Sequence, residues 1–329
     1  MYKQIWKKIG IAFLTIYIII TISFLLIHIM PGDGIIHLVG QEEYYYLLDH
    51  DPETLNNMIE KYGLNDSLSI QYFKYLKSIV TFDFGISYTN QMPVLSNILK
   101  ASRWTLLLSI PTWILAGIFG TILGIIAGWK PGKLFDKLMT PVFVVLNTIP
   151  SNCLCLLMLI LFAYRLKWFP INGMVSPGKV GFERTLSILH HMWLPFIIMI
   201  LFRTAGDFML MKSAVSQIRK EEYILTATSK GISEKKVLFR HVMRNAMLPY
   251  MTSFCMQMGG LLSGSMVIEV VFGWKGMGML MYNAVQNRDF PTAQLCFLIS
   301  AVCVVISNLI SDLINIGIDP RLKEDTVNE

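Results

Sequence analysis

The sequence predicts an all-α polytopic membrane protein with six transmembrane helices and both termini on the cytoplasmic side. Composition is the first ground: of 329 residues, 54% are hydrophobic and only 15% are charged, against roughly a quarter charged in soluble domains. The second is that the apolar residues gather into long runs. The third is where lysine and arginine fall between those runs. The net charge of +6 is spread in short blocks, the pattern of a membrane protein rather than of a nucleic-acid-binding patch.

A spanning helix needs about 20 mainly apolar residues, and six segments qualify: 9–30, 104–128, 139–164, 192–211, 248–272 and 294–318. The first follows Lys3, Lys7 and Lys8 and so imitates a signal peptide. Its length exceeds the roughly 7–15 residues of a signal core, and no small-residue cleavage site follows. It is expected to be retained. The chain therefore divides into an N-terminal end with the first span (1–30), an extracytoplasmic region (31–103), a five-helix core (104–318) carrying a cytoplasmic loop (212–247), and a cytoplasmic tail (319–329). Within 31–103, amphipathic helices are expected around Pro52–Tyr62 and Ser69–Val80.

Orientation follows from basic residues in the short loops. The N-terminus, the 129–138 loop, the 212–247 loop and the tail together hold sixteen lysines and arginines, and the opposite loops hold six. Ala116, Gly120, Gly124 and Gly128 recur every fourth residue of the second span, a stripe that lets another helix approach closely. Gly260 and Gly264 repeat the device in the fifth. The five cysteines, Cys153, Cys155, Cys255, Cys296 and Cys303, lie in apolar stretches without a C-x-x-C pair and read as free thiols packed in helices.

Enzyme chemistry has little to stand on. The nearest approach to a phosphate loop, Gly128 to Leu134, has three residues between its glycines where four are needed, and Leu134 follows Lys133 where Ser or Thr is required. No cofactor is expected on this chain. The six histidines, His28, His37, His50, His190, His191 and His241, are scattered. His190 and His191 are adjacent, about 100° apart on a helix, so they cannot clamp a metal together. They read as the start of an interfacial helix before Trp193, and no metal site is expected. One intramembrane pair stands out: Arg203 and Asp207, at i, i+4 on one helix face. Charge at that depth is costly unless paired or facing water, so the pair either neutralises itself inside the bundle or lines an aqueous path.

The most informative stretch is 221–249. It reads as a short helix, a break at Gly231, and a second helix capped by Ser233, with Pro249 leading into the fifth span. Here the chain resembles the inner-membrane permeases of bacterial ABC importers, in the version of their cytoplasmic coupling motif used by dipeptide, oligopeptide and nickel importers. Glu222, Tyr223, Thr226, Ala227, Lys230 and Gly231 match its first half, and Arg240, His241, Arg244, Asn245, Ala246 and Pro249 its second. Leu225 stands where the general motif has glutamate. Other segments carry the likeness along the chain: Pro31-Gly32-Asp33, Tyr62-Gly63-Leu64, Asp83 to Ser87, Ile268-Glu269 with Phe272, Trp274, Gly276 and Gly278, Asn287 to Pro291, Asp312, and Asp319-Pro320-Arg321. Gly34 and Lys275 depart from prolines of that pattern. The external region and tail resemble the B-type permease.

The resemblance implies a type I ABC importer permease fold and a peptide or nickel/metal-chelate translocation subunit in a bacterial inner membrane. It implies as partners a homologous C-type permease, two cytoplasmic ATP-binding subunits that hold ATP and magnesium, and an extracytoplasmic substrate-binding protein, with lipid around the spans. A secondary transporter would instead show internal repeats and broken helices with charges near the midplane. An intramembrane enzyme would show a deep nucleophile–base or metal constellation.

Overall fold

The structure, a computed structural model, describes residues 2–29, 41–62, 66–263 and 266–318. The Pro31-Gly32-Asp33 and Asp319-Pro320-Arg321 segments, His37, Gly63, Leu64 and Gly264 lie outside them. Every regular element among the described residues is helical. In order these are α1 (Tyr2–Ile29), α2 (Gln41–His50), α3 (Pro52–Tyr62), α4 (Leu68–Thr81), α5 (Val94–Trp129), α6 (Leu134–Thr148) and α7 (Ser151–Met158), which widens into a π-helix over Leu159–Arg165. Then come α8 (Gly181–Ile218), α9 (Glu222–Ser229) and α10 (Glu234–Val237), which runs through a π-turn (Leu238–Val242) into α11 (Met243–Gln257). The chain closes with α12 (Gly260–Ser263), α13 (Met266–Phe272), α14 (Met277–Gln286) and α15 (Phe290–Ile318).

Four helices are continuous, long and apolar enough to cross a membrane: Ile5–Leu25 within α1, α5, α8, and Phe290–Ile314 within α15. The other two expected spans are broken. Helices α6 and α7 bend by 104°, and Glu234–Gln257 meets Gly260–Phe272 at 47°. Counting each bent pair as one span gives up to six. The first break has a local cause, because Pro150 pushes the residue before it out of helical geometry. Ile149 accordingly sits at φ −69°, ψ 128°.

Helices α5 and α8 outrun their apolar segments. At 36 and 38 residues and 1.5 Å per residue, each exceeds the roughly 30 Å hydrocarbon thickness by about 25 Å. They pack against each other along the small-residue stripe, where Ala116 is fully buried. A Cβ on Gly124 would lie 2.8 Å from both the Met211 Cβ and the Phe208 carbonyl oxygen, and one on Gly128 would lie 2.7 Å from the Lys212 carbonyl oxygen. At Gly120 a Cβ would run into Asp207. Only a hydrogen fits at these positions, so the two backbones meet directly. The parallel expectation for Gly260 is corrected: Gly260 is exposed, and the close approach there is made by Gly259, where a Cβ would sit 2.6 Å from the Val304 Cα.

Polar ties gather at the two ends of the bundle. At one end the Lys212 ammonium meets the Asp136 carboxylate at 2.5 Å, while Gly132 N–H and the Thr140 hydroxyl also donate to Asp136. The first and last spans are joined there by Lys8 and Asp312 at 2.8 Å, and Lys130 approaches Glu234 at 4.0 Å. At the other end the buried Asp289 accepts from the Ser87 hydroxyl (2.5 Å), Tyr88 N–H (3.1 Å) and the Thr292 hydroxyl (2.9 Å). That carboxylate stitches the turn after α4 to the start of α15 and accounts for two of the motifs that stood out in sequence. The amphipathic helices expected at Pro52–Tyr62 and Ser69–Val80 are α3 and α4. Helix α4 lies along α1, its Tyr72 hydroxyl 2.8 Å from the Thr21 hydroxyl. Asp51 caps α3 through Thr54, and those two bonds hold its carboxyl below the usual range.

Candidate functional site: a docking loop and a central cavity

The 212–247 segment is less of a loop than its sequence suggests, because α8 continues to Ile218. Beyond Ile218 comes the expected pair of helices. Gly231 separates them at φ +73°, a left-handed backbone that a side chain disfavours. Ser233 occupies the N-cap position in extended geometry, yet its hydroxyl makes no capping bond, so that expectation fails. Pro249 lies inside α11 rather than ahead of the fifth span.

The apolar residues of the two helices close a small core on the end of α8. Ile224 and Ala227 of α9 pack with Val237, Val242, Ala246 and Tyr250 against Met211, Ala214 and Val215. The exposed face of α9 presents Glu222, Tyr223, Leu225 and Thr226, with Lys230 beyond. The sequence groups Ala227 with residues that meet a partner; at 7% exposure it is instead an anchor of the loop's own core. The structure joins two of the singled-out residues directly: the Asn245 amide donates to the Tyr223 hydroxyl at 2.7 Å, tying α9 to α11. Arg240 and Arg244 are exposed and His241 is half-buried. The result is a surface-borne pair of short helices packed on a buried apolar cluster rather than a solvated connector.

Arg203 and Asp207 do share one face of α8, the nearest approach being 3.9 Å from Nε to Oδ2. The Asp207 side chain is 1% exposed and that of Arg203 20%. Neither the Arg203 Nε and Nη2 nor the Asp207 Oδ2 finds a hydrogen-bond partner. Arg203 forms part of the wall of a cavity of about 520 Å³ whose other polar lining is Ser109, Thr112, Ser151 and Gln257. The sequence singled out none of these four, since hydroxyls and amides scattered over three helices have no shared spacing.

A second buried carboxylate was legible only as a motif residue. Glu269, 1% exposed, accepts from the Thr105 hydroxyl at 2.8 Å and from Met279 N–H at 3.1 Å at the start of α14. Thr105 in turn accepts from Met277 N–H at 2.7 Å, and the Trp274 indole donates to the Trp104 carbonyl at 2.9 Å. A Cβ on Gly276 would collide with the Glu269 carboxylate. The Glu269, Trp274, Gly276 and Gly278 pattern is therefore a lock between α13, the following turn and α5.

His190 and His191 sit well inside α8 rather than at its start, and each ring pairs with a backbone carbonyl, of Trp168 and Ser187. Cys155, Cys255 and Cys296 are buried free thiols, Cys303 is intermediate, and Cys153 is exposed.

An all-helical bundle of apolar spans, an interhelical cavity with a few polar side chains in a mostly apolar wall and an ordered two-helix surface loop fit a membrane transport subunit. The chain belongs to the family described as binding-protein-dependent transport system inner membrane component, whose pattern matches residues 120–324, and the family's N-terminal region matches residues 1–109. It is 32% identical over 303 residues to the oligopeptide transport system permease protein AppB of Bacillus subtilis, covering 92% of this chain and 93% of that one. It is 31% identical to the metal-staphylopine import system permease protein CntB of Staphylococcus aureus, over 98% of this chain and 99% of that one. Against the glutathione transport system permease protein GsiC of Escherichia coli the figures are 30%, 94% and 95%. The chain is thus a permease subunit of an ABC importer and not an enzyme. The two broken spans are a feature otherwise expected of secondary transporters; family membership over almost the whole chain decides against that alternative.

Proposed function

We propose that this chain is the B-type translocation subunit of an ATP-driven importer of peptides or small metal chelates in a bacterial inner membrane. Its pore is completed by a homologous C-type permease, two cytoplasmic ATP-binding subunits supply the energy with their own ATP and magnesium, and an extracytoplasmic binding protein delivers the solute. The observation that carries this reading is the α9–α10 pair, a preformed knob with its own apolar core and an exposed outer face. Alternating access driven by another polypeptide needs a rigid lever of this kind at the membrane surface. The names of the relatives, peptide, glutathione and metal-chelate systems, support the substrate class.

Each bent pair counts as one span in this reading, giving six, with both termini and the 212–247 segment in the cytoplasm. The clustering of Lys8–Asp312, Lys212–Asp136 and Lys130–Glu234 at one end of the bundle supports it. Vesicles carrying the assembled importer should accumulate labelled dialanine, glutathione or a nickel chelate only with ATP and the binding protein present. Accumulation driven by an ion gradient without ATP would contradict the proposal. Cysteines at the exposed positions Asn57 and Ser233 should label from opposite sides of intact cells.

A further inference from the structure

The central cavity joins two sources of positive potential that come from different parts of the chain. One is Arg203, which lines the cavity wall with a side chain 20% exposed and whose buried Nε and Nη2 have no acceptor. Its nearest counter-charge, Asp207, stands 3.9 Å away with no hydrogen bond between the two and is closed off at 1% exposure, and its carboxylate is paired instead with Gln257. The other is the start of α7. The chain breaks at Pro150, turns by 104°, and begins a new helix whose first residue, Ser151, lines the cavity. That helix has no side-chain cap, and its first ladder bond runs from Leu154 N–H to the Pro150 carbonyl. The N–H groups ahead of Leu154 therefore have no intrahelical acceptor, and they sit at the positive end of the helix dipole. A broken membrane helix whose N-terminus opens on a mostly apolar cavity is suited to an anionic group. The Ser109 and Thr112 hydroxyls and the Gln257 amide complete the polar part of the wall.

Resting on the importer reading above, we infer that this cavity is a carboxylate site. The Arg203 guanidinium and the α7 N-terminus would receive a carboxylate of the solute in transit, as carried by a peptide C-terminus or by an amino-acid-like metal chelator. A planar guanidinium suits a carboxylate, and the accessible part of the Arg203 side chain lies on the cavity wall.

The test has two arms. In the first, Leu261, an apolar residue of the cavity wall, is replaced by cysteine in a chain whose Cys153 and Cys303 are serine. Reaction with an anionic thiosulfonate is compared with that of a cationic one in membranes holding the assembled transporter. The anionic reagent should react faster. Arg203→Gln should lower the anionic-to-cationic ratio by about threefold or more, and Arg203→Lys should largely keep it. Because Arg203→Gln leaves Asp207 unpaired, the Arg203→Gln, Asp207→Asn double variant serves where the single one fails to assemble. An unchanged ratio, or no reaction with either reagent, overturns the inference. In the second arm the transporter is offered dialanine and its C-terminal amide. Wild type should prefer the free acid, and Arg203→Gln should narrow that preference. Equal handling of acid and amide by an ATP-dependent wild type overturns the carboxylate assignment while leaving the importer reading intact. Absence of ATP-dependent uptake counts against the importer reading, and the labelling ratio still decides the charge of the cavity.

Discussion

Removing the Glu269 carboxylate should unlock the second half of the bent fifth span from α5. In Glu269→Ala three donors lose their acceptor: the Thr105 hydroxyl, Met279 N–H and Gly278 N–H. A buried donor left bare costs about 1–3 kcal/mol. Some of that is recovered where α14 shifts to admit water, so the total is about 3–6 kcal/mol. Glu269→Gln keeps one acceptor oxygen but turns an NH2 toward a backbone N–H, and should cost about 1–3 kcal/mol. Thr105→Val combined with Glu269→Gln should cost less than the sum of the single changes, since the two residues share a bond. The assay is the temperature at which the detergent-solubilised transporter loses its monodisperse chromatographic peak. Glu269→Ala should lower it by on the order of 10 °C. The same change at Glu183, 69% exposed and paired only with Lys179, should lower it hardly at all. If Glu269→Ala and Glu183→Ala behave alike, the Glu269 carboxylate does not lock α13 to α5.

Two further outcomes rest on helix contacts. Gly124→Ala should destabilise by about 1–3 kcal/mol, because the new methyl meets backbone atoms of α8 that cannot move aside. Gly206→Ala, where a Cβ meets nothing within 4 Å, should be neutral or stabilise by up to about 1 kcal/mol; equal effects in a melting assay would refute the packing assigned to the stripe. Asp207→Ala strands the largely buried Arg203 charge and should cost on the order of 3–5 kcal/mol. Arg203→Leu with Asp207→Leu should assemble better than Asp207→Ala, measured as yield of intact complex.

Much of the fold was legible in sequence because lipid writes a strong signal: a run of apolar residues near 20 long has few other uses. The stripe from Ala116 to Gly128 and the helix–Gly231–helix pattern were legible because their geometry is local. Helix limits were not, since α5 and α8 run past their apolar segments, and hydropathy marks the limits of an apolar run rather than those of a helix. The break at Pro150 was hidden because proline also occurs inside unbroken helices, as Pro111 and Pro195 do here. Ala227 was misread since a motif residue looks the same whether it faces a partner or its own core. The Glu269 lock and the cavity wall were out of reach for another reason. Thr105 and Glu269 are 164 positions apart, and no spacing rule links residues that meet only after the bundle closes.

The central claim is that the outer face of α9 transmits force from an ATP-binding subunit. Single cysteines at Leu225 and Ala227 test it directly. The first residue is 59% exposed and the second 7%. A short crosslinker added to the assembled importer should join Leu225→Cys to an ATP-binding subunit, in a yield that changes when nucleotide binds, and should leave Ala227→Cys unjoined. In a chain also carrying Gly231→Val, which forces a β-branched residue to φ +73°, ATP hydrolysis should continue while solute uptake falls. A Leu225→Cys chain that transports normally, never crosslinks to an ATP-binding subunit, and keeps full uptake with Gly231→Val would contradict the account.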